Sequence, residues 1–205
     1  MFRFVIVLML AGCAYAQRKP VNPIEHLPKN VEVVTYFGER ADISPDNQQI
    51  AFMSKSFGDA FVVGMKDRKI RCLTCGVPGA AFLRIMHLVS GDYILVGPER
   101  FKELRTSRRE DNELWFLSKQ TGSKPVRFGQ KMSEGAAISK KSARISFAVL
   151  SAQDPNLAPE HSQLFVADVD LSGKTPRLTN KRMVYESRSA DCRVESQDFS
   201  TTIAS

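Results

Sequence analysis

The sharpest chemical signal in this chain of 205 residues is the tetrapeptide Cys72-Leu73-Thr74-Cys75. Two cysteines at this spacing can close a small disulfide, supply half of a zinc site, or act as a redox dithiol. Zinc needs four ligands. His87 follows at a finger-like distance, but Ser90-Gly91-Asp92 stand where a second histidine belongs. A redox dithiol opens a helix after a strand, whereas this pair ends a strand-like run. The favoured reading is a structural pair, with Cys72 and Cys75 as a candidate disulfide and Cys192 as an odd thiol.

The other groups that could do chemistry are scattered. A serine hydrolase of the elbow type needs G-x-S-x-G, which lifts the hydroxyl clear of the backbone, and no such pentapeptide occurs. His26, His87 and His161 fall in a proline-rich lead-in, a strand and a loop, without a nucleophile motif beside them, and read as surface or packing residues. Asp168 and Asp170 alternate on one strand face, but a calcium loop would offer more oxygens at closer spacing together with a glycine. No G-x-x-x-x-G-K phosphate loop is present. No catalytic, cofactor-binding or metal-binding residue is assigned, and no cofactor is expected.

Composition sets the outer bounds. The chain is 43% hydrophobic and 25% charged, ordinary for a globular domain. Its 29 basic and 22 acidic residues give a net charge of +7, but the basic residues are dispersed, usually near an acid. That describes a solvated surface and not a nucleic-acid footprint. At the N-terminus Arg3, the apolar run Phe4–Leu10 and Ala14-Tyr15-Ala16 read as a signal peptide over residues 1–16. Leu10-Ala11-Gly12-Cys13 also looks like a bacterial lipobox, so membrane attachment through a lipidated Cys13 is the alternative. Both readings place the mature chain outside the cytoplasm, secreted or periplasmic.

The elements that must position these residues are short strands. Residues 17–37 read as a proline-containing lead-in, with Pro20, Pro23 and Pro28, followed by a first strand rich in Val31, Val33 and Val34. A repeat follows. Ile43-Ser44 with Ile50 and Phe52 matches Ile138-Ser139 with Ile145 and Phe147, 95 positions later. Phe61-Val62-Val63 ending in Leu73-Thr74 matches Phe165-Val166-Ala167 ending in Leu178-Thr179. The later copy is longer by the polar loop Ser151–Pro159. A divergent copy lies between them, built from His87–Val96, Leu114-Trp115-Phe116-Leu117 and Pro125–Phe128, with Trp115 expected to pack between units. Glu99–Glu113, with five basic and five acidic residues, reads as an exposed loop joining two strands. Three units result, at 38–79, 80–129 and 130–181, each with about four strands, the size of one propeller blade. An irregular tail is expected over 182–205.

The hairpin Ile43-Ser44-Pro45-Asp46-Asn47 with Ile50-Ala51-Phe52, and the Leu-Thr unit ends, resemble the blades of TolB-like, WD-repeat-like β-propellers. The resemblance covers residues 38–181. It implies an all-β fold, a partial β-propeller of about three four-stranded antiparallel blades after the signal peptide. The later units depart from it, with Val89-Ser90-Gly91 and Lys140-Lys141-Ser142 in place of Pro-Asp turns, and Gly64-Met65-Lys66 replaces the usual outer-strand Val-Met-Asp. Closed propellers need at least about four blades. The chain is therefore expected to be part of a longer propeller or to close by self-association as a homodimer. The function implied is a non-catalytic binding or scaffold module acting on a protein partner or small ligand, with contact loops at Ser54–Asp59, Glu99–Glu113 and Ser151–His161. The alternatives are an accessory propeller of a prolyl oligopeptidase-like hydrolase and a self-associating structural protein.

Overall fold

A computed structural model describes residues 22–189 and 191–194. The expected signal peptide, Cys13 and half of the expected tail, residues 190 and 195–205, lie outside the described residues. The chain divides into two units, Met1–Tyr36 and Phe37–Ser205. In the described part of the first, a 3-10 turn spans Pro23–His26, and the Asn22 side chain accepts the Ile24 N–H at 3.2 Å. Residues 31–36 form no strand, contrary to the first strand expected there.

The second unit holds twelve strands in three four-stranded antiparallel sheets, each in simple up-and-down order. The first contains β1 (Glu39–Ile43), β2 (Gln49–Met53), β3 (Ala60–Gly64) and β4 (Ile70–Cys72). The second contains β5 (Arg84–His87), β6 (Tyr93–Pro98), β7 (Asn112–Leu117) and β8 (Val126–Lys131). The third contains β9 (Ala136–Ile138), β10 (Arg144–Leu150), β11 (Ser162–Asp170) and β12 (Arg177–Ser187). These are three propeller blades, and the fold is all-β.

The repeat has a physical basis in the first turn of each blade. Ser44 Oγ accepts the amides of Gln48 and Gln49 at 3.1 and 2.9 Å, and Asn47 takes φ +57°, the left-handed region that Asn tolerates. Ser139 does the same work in the third blade, its Oγ accepting the amides of Lys141 and Ser142 at 3.2 and 3.3 Å. In the second blade Gly91, at φ +84°, makes the tight turn instead.

One position recurs in the core of every blade. Phe52 faces Phe61, Leu95 faces Trp115, and Phe147 faces Phe165, each a direct cross-strand pair between the second and third strands. The two phenylalanine pairs stack with centroids 5.7 and 5.8 Å apart. What covers the pair changes. Phe37 packs edge-on against Phe52 and Phe61, so the residue expected to close a strand serves as a cap on the first blade. Leu95 and Trp115 join Ala51, Met53, Ala60 and Phe82 in the seam between the first and second blades, with Phe82 edge-on to the indole at 5.6 Å. Phe147 lies in the seam between the second and third blades with Met86, Leu88, Ile94, Val96 and Leu114. Each fully buried side chain of this size contributes roughly 1.5–3 kcal/mol, so the seams are the main cohesive term.

Two boundaries differ from expectation. β12 continues to Ser187, six residues beyond the expected unit end at 181, because Met183, Val184 and Tyr185 are good strand formers and β11 is long enough to pair as far as Ser187. The Leu178-Thr179 pair consequently opens a strand, whereas Leu73-Thr74 follows one. The Glu99–Glu113 segment is not a plain loop: Leu104–Thr106 form an α-turn that widens into a π-helical turn over Ser107–Asp111.

Candidate binding surface

In each up-and-down blade the loop between the second and third strands emerges at the same end. The three expected contact loops are therefore neighbours along one rim. Phe57, buried and at φ +58°, lies under Phe101 with ring centroids 5.1 Å apart, joining the first loop to the second. Gln153 Nε2 donates to the Arg109 carbonyl, joining the second to the third. Sequence alone proposed the loops; their contiguity comes from the fold.

The charge of the second loop is sorted, which its composition conceals. Glu113, 3% exposed, holds Arg127 through both carboxylate oxygens, at 2.6 and 3.0 Å, and Glu99 pairs with the same guanidinium. Asp111 pairs with Lys102 at 3.0 Å, and Glu103 accepts the amides of Arg105 and Thr106 at the start of the turn. Arg108 reaches Glu134 at 3.3 Å. Most of the acids are thus turned to internal work. Arg100, Arg105 and Arg109 make no ion pair among the described residues, and Phe101 and Leu104 beside them are 44% and 51% exposed.

A second feature lies along the inner strands β1, β5 and β9, where a cleft of about 300 Å³ is lined by Arg40, Asp42, Arg84, Met86, Ala137 and Lys140. Asp42 ties all three blades together. Its Oδ2 accepts the His87 backbone N–H at 2.7 Å and faces His87 Nδ1 at 2.9 Å; its Oδ1 accepts from Lys140 Nζ at 2.8 Å. Burial alone would raise the Asp42 pKa, but the hydrogen bonds from His87 and Lys140 outweigh it and hold the carboxyl below its ordinary 3.8. Arg40, in a bulge of β1 at φ +56°, crosses to Glu134 at 2.8 Å. A non-glycine residue held in that region is uncommon, and here the bulge aims the guanidinium at the third blade.

The residues singled out by type are accounted for separately. Cys72 and Cys75 are joined to each other, so neither offers a thiolate, although Asp59 stands close to both sulfurs. Cys192 is a free, exposed thiol. Asp168 accepts from Arg144 Nε at 2.8 Å and Asn180 Nδ2 at 3.0 Å; Asp170 accepts from the Ser172 hydroxyl and amide and then from Arg177, which together lower its pKa to about 2. Both carboxylates are held within their own blade. His161 closes the third rim loop, partly buried with Nδ1 3.9 Å from Glu186 and Nε2 4.0 Å from Glu160; His26 lies in the first unit, in the 3-10 turn. Asp42, Lys140 and Arg40 were missed in the sequence. The available signal was a charge in the middle of the Ala41–Ile43 alternation, where an apolar residue would be ordinary.

No family model matches this sequence, and no curated protein does. Solved structures do. A protein described as TolB from Agrobacterium tumefaciens aligns with a TM-score of 0.51 at 15% identity, over 76% of this chain and 52% of that one. TolB from Acinetobacter baumannii aligns at 0.46 and 14% identity, over 72% of this chain and 34% of its own. Hydrazine synthase from Kuenenia stuttgartiensis aligns at 0.42 and 11%, over 67% and 41%. This chain spans about half the length of the Agrobacterium structure. Three sheets in up-and-down order, packed face to face, together with that alignment, give the fold its description: a TolB-like β-propeller, present here as three blades.

Proposed function

We propose that this chain is an exported, non-catalytic binding module whose partner-facing surface is the rim formed by residues 54–59, 99–111 and 151–161. The contiguity of those three loops is the observation that carries the reading. Exposed Phe101 and Leu104 beside three unpaired arginines supply the residue types that dominate protein interfaces. Export is supported by the Cys72–Cys75 disulfide, a bond that persists in oxidising compartments.

The test is site-specific photo-crosslinking from Phe101 and, as a control, from Val126 in β8, in extract of the source cells. A discrete adduct from position 101 only, competed by unlabelled chain, is the expected result. Equal labelling from both positions, or none at 101, overturns the reading.

A second reading, closure by a second copy, is favoured by the edge strand β12, where Met183, Val184 and Tyr185 are 49%, 39% and 54% exposed. A folded dimer in light scattering supports it, and a folded monomer removes it.

A further inference from the structure

We propose that the cleft between the first and second blades, at the end opposite the rim, binds a small anion carrying a carboxylate or phosphate group, held by Arg71 and Lys119 against the Tyr93 hydroxyl. The cleft encloses about 350 Å³. Its walls are the β1–β2 turn with Ser44 and Asp46, the β5–β6 turn with Ser90, Arg71 of β4, and Lys119 just after β7. These are the hairpin turns facing away from the rim, so this site is separate from the surface discussed above.

The acids near the cleft are already occupied. Asp46 accepts from Ser44 Oγ at 2.6 Å and from the Gln48 amide at 3.0 Å. Asp92 accepts from Ser90 Oγ at 2.7 Å and from the Lys119 amide at 2.9 Å. Both carboxylates are fixed within their own turns. The cations are not neutralised: neither Arg71 nor Lys119 makes an ion pair among the described residues. Lys119 Nζ gives one hydrogen bond, to the Ser90 carbonyl at 2.7 Å, and an ammonium has two more to give. The Tyr93 hydroxyl makes a long contact with Gln49 Oε1 at 3.4 Å and faces the Arg71 guanidinium. Burial raises its pKa while Arg71 draws it down, so the hydroxyl remains a donor at neutral pH. His87 also lines the cleft; with Asp42 keeping its proton on Nδ1, the buried Nε2 is an acceptor, so the anion's oxygens are held by Arg71, Lys119 and Tyr93 and not by this ring.

The arrangement suits a ligand with two or more anionic oxygens. A guanidinium fork engages a carboxylate or phosphate edge through two parallel N–H groups, and an ammonium on the opposite wall takes a third contact. Convergent polar groups over a buried aromatic are the common composition of a small-ligand site.

The test titrates the full 15N-labelled chain with sodium phosphate, and separately with sodium acetate, at ionic strength held constant with chloride. Saturable amide shifts at Ser44–Gln49, Ser90–Tyr93 and Lys119 are expected, with a dissociation constant of about 1 mM or lower. Saturation by phosphate alone assigns a dianion, and saturation by both assigns the wider carboxylate class. Arg71→Gln with Lys119→Gln is expected to weaken binding at least tenfold, and Lys174→Gln, in the β11–β12 connection of the third blade, to leave it unchanged. Arg71→Lys keeps the charge but loses the fork, giving an intermediate loss that reads the site even where the double variant folds poorly. Shifts that scatter over the surface without saturating, absence of shifts with both anions, or equal binding by Arg71→Lys and the unaltered chain overturns the proposal.

Discussion

A single carboxylate oxygen of Asp42 meets His87 at two points, 2.7 Å from its backbone nitrogen and 2.9 Å from Nδ1, across 45 residues of sequence and the seam between two blades. The contact fixes both the position of β5 against β1 and the tautomer of the ring, because a carboxylate at Nδ1 keeps the proton there. With Lys140 on the other oxygen, one side chain cross-links three sheets.

Removing that carboxylate leaves a buried amide and a buried imidazole without their acceptor, and the Lys140 ammonium with only the Ile43 carbonyl. Asp42→Ala is expected to destabilise the fold by roughly 3 kcal/mol, read as a lower urea midpoint at unchanged slope. Lys140→Gln, which removes a half-exposed partner, is expected to cost about 1 kcal/mol. Equal stability of Asp42→Ala and the unaltered chain would show that the seams alone hold the blades.

The same carboxylate gives a pH signature. Its folded pKa lies below the ordinary 3.8, so its contribution is fully present above the unfolded pKa and is lost as pH falls through the folded one. The stability gap between Asp42→Asn and the unaltered chain is therefore expected to be constant from about pH 6 to 8 and to shrink below about pH 4. Denaturant titrations at four pH values check it. A gap that widens on acidification reverses the sign and removes the assignment.

The blades were legible because their signal is local. Ser44 and Ser139 organise turns within a few residues of themselves, and Phe52 and Phe147 sit on short, continuously buried strands, so both leave a mark in sequence order. What was not legible is what faces what. The equal numbers of acids and bases in Glu99–Glu113 read as a solvated loop, since nothing in the order of residues says that Glu113 turns inward to Arg127 while Arg109 turns out. The pairing of Asp42 leaves no mark in sequence order because its partners lie 45 and 98 positions away. The strand expected before Phe37 shows the opposite error: β-branched residues were present, but a strand also needs a neighbour to pair with.

The disulfide closes a loop of only four residues, for which chain entropy gives about 2 kcal/mol. Cys72→Ser is expected to lower stability by that order without changing the fold. In thiol titration of the unreduced native protein, Cys192 is expected to react, and Cys72 and Cys75 to react only after reduction. Rapid native labelling of Cys75 would show the pair reduced.

Backbone meets backbone closely at Gly97, where β6 passes the chain leading into β5 and Phe82 enters the first seam. A Cβ there would fall 2.7 Å from the Ala81 carbonyl oxygen and 3.0 Å from Phe82 Cα, both backbone atoms that no rotamer change can move. Gly97→Ala must therefore push the segment leading into β5 away from β6, and overpacking of this kind costs about 1–3 kcal/mol. At this chain length that lowers the melting temperature by roughly 5 °C. Gly76→Ala is the matched control, because a Cβ there meets nothing within 4 Å and φ is not positive; it is expected to be neutral or slightly stabilising. The variant also carries its own local readout. Trp115, the single tryptophan of the chain, donates its indole N–H to the Gly97 carbonyl at 3.0 Å. Displacing that carbonyl should shift the native emission of Gly97→Ala while Gly76→Ala leaves it unchanged. A fall in melting temperature with unaltered emission would place the strain somewhere other than this seam.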